Sequence, residues 1–133
     1  MAEYLSTLPS FLVYLGVGLG LLAVFMVIYA WITPQREMPL TRQGNVSASV
    51  VFGATLLGFA LPLASAVAHS VNVIDLLLWG AIACVVQGIA SIVLRFMIHD
   101  LRAHIEADRV SVAIFMASLK LALGLLNAAA VSY

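Results

Sequence analysis

Lys120 is the residue of this sequence with the clearest capacity for chemistry. It lies in the stretch 118–130, where the side chains are otherwise aliphatic or small except for Ser118 and Asn127. A lysine at the centre of a membrane-spanning helix costs about 2.5–3.5 kcal/mol on insertion scales, several times what one leucine gains. Ionisable residues at such positions mark sites for ions or solutes, or they hold helices together.

Three further polar side chains are predicted at the depth of Lys120. Lys120 follows the start of its apolar segment, Val110, by ten residues, which corresponds to about 15 Å at the helical rise per residue. Gln87 and Thr55 have nearly the same depth in two other apolar segments, and Ser118 is half a turn away. We therefore predict a midplane polar site made of Lys120, Gln87, Thr55 and Ser118.

The sequence leaves three interpretations of this site open. It could serve an anion, a proton or a polar solute, because no carboxylate lies at its level to form a buried ion pair. A water-filled cavity or an uncharged amine is then expected. Alternatively, Lys120 and Gln87 could be polar glue between helices or subunits. In the third interpretation the lysine stem snorkels toward an interface, although its central depth makes this expensive.

The polar segment 95–109 contains residue types that can bind metals, namely His99, Asp100, His104 and Glu106. The two histidines are five residues apart, whereas ligands that share a helical face are three or four apart. We interpret the segment as a solvated surface and predict no metal site. No nucleophile–base pair or phosphate loop is found, so neither a cofactor nor an enzymatic activity is predicted.

The elements that hold these residues are predicted to be membrane helices. Of the 133 residues, 64% are hydrophobic and 9% charged, whereas soluble domains are ~45–50% apolar and ~25% charged. Apolar segments long enough to cross a bilayer predict an all-α polytopic membrane protein with four transmembrane helices, at 11–32, 46–68, 73–96 and 110–131. The net charge of zero gives no field for nucleic acid.

The distribution of arginine predicts the orientation of the helices. All five arginines lie in the segments 33–45 and 95–109. The positive-inside rule places these loops in the cytoplasm and both termini outside. The loops are predicted to contact a cytoplasmic protein partner, with Arg95, Arg102 and Arg109 as the candidate residues.

Prolines and aromatic residues predict where the first helix begins and ends. Pro9 is expected at its start, and Tyr29 and Trp31 are expected in an interfacial aromatic belt near its end. Pro34 and Pro39 are expected to keep the following loop free of helix.

Two further features predict departures from simple spanning helices. Pro62 removes the donor whose partner would be the carbonyl of Gly58, so a kink that could act as a hinge is expected there. Ile98, Leu101 and Ile105 are spaced so that a short helix could lay one apolar edge on the membrane interface.

Small residues recur four apart along the predicted helices, a pattern that lets membrane helices approach closely. The glycines predicted to lie at helix contacts are Gly16, Gly20, Gly53, Gly58, Gly80, Gly88 and Gly124. Four helices have more of these small-residue surfaces than helix contacts within one chain can cover. We therefore predict a homo-oligomer in the lipid bilayer.

Sliding the sequence over itself by 64 residues predicts an internal repeat in a single membrane domain. Leu57 then falls on Leu121 and other small and apolar residues coincide. The units extend from about 10 to 68 and from about 73 to 131. Because each has two helices, the repeats are parallel rather than inverted. Asn45 falls on Arg109, a departure between the halves.

Several motifs resemble the YjfL family, whose defining domain has no assigned function. They are RQGNVSAS at 42–49, LGFALPLAS at 57–65, Trp79-Gly80 with Gln87, and GLLNAA at 124–129. The resemblance implies a bacterial inner-membrane protein with a duplicated helix pair and no established reaction or ligand. Family members look like companions of stress-response membrane-remodelling proteins.

Together these features predict a non-catalytic oligomeric scaffold or a membrane-stress component of the inner membrane. The alternative is a small channel or transporter element that uses the midplane polar site.

Overall fold

The computed structural model describes residues 2–32, 37–97 and 101–131, and all of its regular elements in these ranges are helices. The elements are α1 (Ala2–Ile32), α2 (Glu37–Arg42), α3 (Val46–His69), α4 (Val73–Met97), α5 (Leu101–Glu106) and α6 (Val110–Val131). The four long helices are apolar and long enough to cross a membrane. The predicted all-α polytopic architecture is confirmed.

Two predictions from proline were wrong. The first helix begins at Ala2 and continues through Pro9. An interior proline removes one backbone hydrogen bond and crowds the preceding turn, but spanning segments tolerate it because the other backbone groups must be bonded within the helix. Pro39 is the third residue of the short helix α2. The first turn of a helix tolerates proline because its N–H groups have no helical partner. Pro34 lies outside the described residues.

The centre of the fold is the contact between α3 and α6, the most extensive one between any two helices. A methyl group added at Gly124 would lie 3.0 Å from both Cα and the carbonyl oxygen of Gly58. Backbones can approach this closely in lipid only where both helices present small residues. Helix α4 packs on this pair and α1 packs outside, against α3 and α4.

The short helix α5 closes the base of this bundle. Leu101 and Ile105 are buried and pack in one cluster with Ala48, Val51 and Met116. The prediction that this apolar edge lies on the membrane interface was wrong, because the ends of α3 and α6 leave an apolar surface that α5 covers. Ile98 lies outside the described residues.

The two short helices occupy equivalent places in the chain. Helix α5 begins and ends 64 residues after α2, and the turns that follow them use the same backbone bonds. For example, the N–H of Gly44 donates to Thr41 and the N–H of Asp108 donates to Ile105, both at 3.0 Å. Gly44 and Asp108 also share a positive φ, of 86° and 56°.

Candidate functional site

Lys120 is buried among the helices, with 1% of its surface exposed. Its Nζ donates a hydrogen bond of 2.8 Å to the hydroxyl of Tyr29. The same Nζ lies 4.8 Å from the centroid of the Tyr29 ring, within the range of a cation–π interaction. The side chain of Tyr29 therefore solvates the ammonium through both its oxygen and its ring.

The direction of the side chains explains how these residues meet. Side chains tilt toward the N-terminus of their helix, and the N-terminus of α6 is at the predicted cytoplasmic side. Lys120 consequently extends toward that side, whereas Tyr29, near the C-terminus of α1, extends back toward the membrane centre. The Lys120 side chain thus ends on Tyr29 inside the bundle, where 1% of its surface is exposed.

Tyr29 was missed by the sequence analysis as a site residue. It is 3% exposed and its ring meets Phe59 edge-on, with 5.9 Å between centroids. The prediction of an aromatic-belt position was therefore wrong for Tyr29. Trp31, by contrast, is 82% exposed. The two residues lie on different sides of α1, so distance along the chain alone could not separate a belt residue from a core residue.

Gln87 joins α4 to the centre of the fold. Its Nε2 donates to the backbone carbonyl of Lys120 at 3.3 Å. A methyl group at Gly58 would lie 2.8 Å from that same Nε2. The Gln87 amide therefore fills the space that the missing side chain of Gly58 leaves, and it links three helices at one level.

The hydroxyls of the other two residues of the predicted midplane site are not hydrogen-bonded to Lys120. Thr55 is buried, but its hydroxyl donates to the carbonyl of Val51 in its own helix at 3.0 Å. Ser118 is exposed and its hydroxyl donates to the carbonyl of Ile114 at 2.8 Å. A two-residue separation in a helix turns a side chain by about 200°, so equal depth did not mean an equal face.

Two residues of α4 extend the site toward the predicted cytoplasmic side. A small void lies between Tyr29, Ser91, Arg95 and Lys120, and it is closed by apolar side chains that include Leu101. The hydroxyl of Ser91 is buried without a hydrogen-bond partner among the described residues. The guanidinium carbon of Arg95 lies 5.8 Å from the Tyr29 ring centroid.

The sequence predicts that Arg95 contacts a cytoplasmic partner. The structure instead brings its side chain and that of Lys120 to one aromatic ring. The spacing of Gln87, Ser91 and Arg95, each four residues apart, was a helical-face signal that the sequence analysis did not use.

The void has no space that a water molecule could enter. A water-filled cavity around Lys120 is therefore not found in the described part of the chain. The ammonium is held by protein groups in a packed environment.

The predicted packing glycines divide into two groups. A methyl group at Gly80 would lie 2.8 Å from Leu21, one at Gly88 would lie 3.8 Å from Phe59, and Gly58 and Gly124 meet at the central contact. Methyl groups at Gly16, Gly20 and Gly53 would have open space around them. The latter three make no close helix contact inside the protomer.

Pro62 is buried within α3, which runs as one helix from Val46 to His69. The hinge at Pro62 stays a prediction.

The loops at the predicted cytoplasmic side are tied together by two side chains. Asn45 caps α3 by accepting from the N–H of Ala48 at 2.8 Å, and it donates to the carbonyl of Ile105 at 2.9 Å. Asp108 accepts from the backbone N–H of Ser47 at 2.8 Å. That backbone bond lowers the pKa of the Asp108 carboxyl below its ordinary value. The second loop thus caps a helix of the first half.

The remaining predicted loop residues contribute less to this contact. Arg109 is exposed and its Nη1 donates to Nδ1 of His104 at 2.8 Å. The side chain of Arg102 lies outside the described residues. No cluster of metal-binding side chains is found among the residues that the structure describes, which do not include His99 and Asp100.

Comparisons with known proteins agree in placing the chain among membrane proteins of unassigned function. A family model described as Domain of Unknown Function (DUF350) matches residues 3–131. The chain is 34% identical over 129 residues to the UPF0719 inner membrane protein YjfL of Escherichia coli strain K12, covering 97% of this chain and 98% of the relative. The same figures hold for YjfL of E. coli O157:H7. No solved structure matches.

Proposed function

Because the chain belongs to the DUF350 family of multi-pass inner-membrane proteins, we propose that it acts as a non-catalytic membrane scaffold. In this proposal, copies of the chain assemble through the outer face of α1, and the assembly organises the surrounding membrane. The observation that carries the proposal is the contrast between the filled and the unfilled glycine surfaces.

The unfilled surface lies on α1. Gly16 and Gly20 are four residues apart, and both are exposed together with Ala23. At 100° per residue this stripe is on the opposite side of α1 from Gly18 and Tyr29, which are buried against the rest of the chain. Helix α1 therefore presents its small residues away from its own bundle.

The filled surfaces show what such residues do elsewhere in this protein. Gly58, Gly80 and Gly124 each have a neighbouring helix so close that an added methyl group would meet it at 3.0 Å or less. Small residues drive association of membrane helices because the backbones then pack closely, whereas acyl chains gain little from them. A second copy of the chain is the occupant that fits the Gly16–Gly20 surface.

The packing at Lys120 supports a structural role for the polar site. Its ammonium is bonded to Tyr29, its backbone carbonyl is bonded to Gln87, and the adjoining void admits no water. Polar groups arranged in this way hold α1, α4 and α6 together. The alternative, a channel or transporter element, requires a continuous polar route, which this packing does not favour.

The test of assembly is a double substitution, Gly16→Leu with Gly20→Leu. Two leucines on this face would separate the contacting backbones, so we expect the oligomer seen by native mass spectrometry in mild detergent to dissociate into monomers. The matched control is Ala122→Leu, which places the same side chain at an exposed position of α6.

A wild-type protein that is monomeric in mild detergent, and that gives no cross-links between copies in membranes, would overturn the scaffold proposal. So would a double variant that assembles as well as the control.

Membrane maintenance is the proposed purpose of the scaffold, in line with the family resemblance. We expect a strain that lacks the protein to leak more under envelope stress. Wild type and Ala122→Leu should restore the barrier, whereas the double glycine variant should not. Equal rescue by all three proteins would mean that membrane maintenance does not require assembly through α1.

The two joined loops, 33–45 and 95–109, are proposed to contact a cytoplasmic protein. Asn45 and Asp108 hold them as one surface, on which Arg42 and Arg109 are exposed. Charge reversal of both arginines should abolish cross-linking to that partner while leaving the oligomer intact. If cross-linking persists, recruitment does not use these loops.

Flux measurements separate the scaffold from the alternative. Purified protein in liposomes should pass ions no faster than empty liposomes, for wild type and for Lys120→Leu alike. A flux that is present in wild type and lost in Lys120→Leu would favour the channel or transporter.

A further inference from the structure

Helix α1 extends beyond α4 at the predicted outer side of the membrane. A methyl group at Gly80 would meet the side chain of Leu21, and Tyr14 lines one pocket with Val73, where α4 begins. The two positions are seven residues apart on each helix, so α1 and α4 run side by side in the same direction. Residues 2–8 therefore continue α1 past the outer end of α4 by about two turns, or about 10 Å.

The length of α1 places this segment outside the hydrocarbon of the bilayer. Helix α1 has 31 residues, whereas α3, α4 and α6 have 24, 25 and 22. About 20 residues suffice to cross the hydrocarbon, so the three shorter helices already span it. Because α1 continues through Pro9 as one helix, residues 2–8 project away from the membrane and do not lie along its surface as an interfacial helix would.

The projecting segment has one apolar side. Leu5 and Leu8 are 62% and 47% exposed, and at 100° per residue they lie only 60° apart around the helix. Ser6 and Thr7, which are also exposed, are centred on the opposite side. Leucines that face lipid need no protein partner, but leucines that face water favour a partner that removes them from it.

The apolar side continues along α1 into the membrane. Five leucines follow one another at alternating intervals of three and four residues, the spacing of a coiled-coil interface, and together they form the leucine seam: Leu5, Leu8, Leu12, Leu15 and Leu19. Each is between 44% and 62% exposed, so the protomer leaves the seam open. Gly16 follows Leu12 by four residues, and the seam therefore adjoins the Gly16–Gly20 surface.

We propose that the leucine seam pairs with the same seam of a second copy, as a parallel coiled coil that begins outside the membrane and continues into it. This inference rests on the proposed assembly through α1 and specifies which side chains meet. Copies that insert with the same orientation present the seam at the same height, so each leucine meets its own equivalent across a two-fold axis. The part outside the bilayer adds a hydrophobic driving force that contacts within lipid lack.

Cysteine cross-linking of the full-length protein in native membranes tests the seam. Leu8→Cys and Leu12→Cys should give covalent dimers under mild oxidation, because equivalent core positions of a parallel pair come within disulfide distance. Ser6→Cys, on the opposite side of the same helix, is the matched control and should stay monomeric. The unsubstituted protein, whose Cys84 is buried, sets the background.

A second measurement tests the contribution of the projecting segment to association. Leu5→Ser with Leu8→Ser should raise the dimer dissociation constant in mild detergent at least tenfold, since two apolar side chains of each copy lose their partners. Val71→Ser, which removes an apolar side chain that is 82% exposed in the loop between α3 and α4, should leave the constant unchanged.

The outcomes separate this inference from the scaffold proposal. Gly20→Cys, whose added side chain has open space, reports contact through the glycine surface. Monomers throughout, without a cross-link even at Gly20→Cys, would overturn both proposals. Dimers that cross-link at Gly20→Cys but not at Leu8→Cys would overturn the seam alone, and so would equal cross-linking at Ser6→Cys and Leu8→Cys. A cross-link from Leu8→Cys to a different protein would assign the seam to that partner and overturn pairing between copies.

Discussion

The polar site on one side of the bundle has an apolar counterpart on the other. With an offset of 64 residues, Tyr29, Gln87 and Lys120 correspond to Val93, Ala23 and Leu56. The first three are buried and bonded to one another, whereas the three counterparts are exposed on the outer surface, Val93 by 53% and Leu56 by 38%. Polar residues are thus present where helices cover them and absent where lipid would meet them.

The two loops at the predicted cytoplasmic side, which contain α2 and α5, can be compared in the same way. The turns after α2 and α5 have matching backbone bonds, on which we base the proposal that the chain contains two copies of one unit. Their side chains differ in role. Leu101 and Ile105 of α5 are buried in the bundle, and Asp108 caps α3. The same turn backbone therefore occurs twice, and in the second copy the side chains cover the base of the bundle and cap α3.

The largest effect is expected at the bond between Lys120 and Tyr29. Tyr29→Phe leaves a buried ammonium without its acceptor and should lower the free energy of unfolding by about 3 kcal/mol. Unfolding in mixed micelles measures this. Tyr14→Phe, at a half-buried tyrosine of the same helix, is the control. A double variant with Lys120→Met should recover part of the loss, and equal losses in Tyr29→Phe and Tyr14→Phe would contradict the prediction.

The next prediction compares Gly124, where a neighbouring helix occupies the space of a side chain, with Gly53, where that space is open. Gly124→Ala forces a methyl group against the backbone of Gly58 and should cost about 1–3 kcal/mol of stability. Gly53→Ala has open space and should instead gain up to about 1 kcal/mol, because alanine favours helix. Both are read from the same unfolding transitions. If Gly124→Ala is tolerated as well as Gly53→Ala, the central contact is looser than described.

A smaller effect, dependent on pH, is expected at Asp108. Its lowered pKa in the folded protein means that the carboxylate adds stability above the unfolded value of about 3.9, and this stability is lost as the pH falls through the folded pKa. Thermal unfolding followed from pH 7 to 3 should show the loss in wild type. It should be reduced in Asp108→Asn and Asp108→Gly, which both tolerate the positive φ. An unchanged pH profile in these variants would remove Asp108 as the cause.

The smallest effect is expected at Ser118. Its hydroxyl bonds only within its own helix and faces outward, so Ser118→Ala should change stability by less than about 0.5 kcal/mol. A larger loss in unfolding experiments would mean that Ser118 contributes to the midplane polar site.

The sequence by itself determined the class of the protein and its four long apolar helices, and it predicted the depth of the polar residues. The apolar segments could be recognised because crossing a bilayer requires a fixed length of uncharged helix. Lys120 and Gln87 were identified because a polar residue at the membrane centre is costly wherever it faces. These are properties of a segment and its solvent, and they do not require knowledge of a neighbour.

Only the tertiary structure decided which of these residues meet. Depth repeats on every helix, but the face depends on rotation and packing. Thr55 and Ser118 were therefore grouped with Lys120, although the hydroxyl of each bonds within its own helix. Tyr29 carried no signal of its own, because a tyrosine near a helix end suits the interface as well as the core. The close contact of Gly58 with Gly124 brought α3 and α6 together, and α1 and α4 then placed Tyr29 and Ser91 against the one buried lysine.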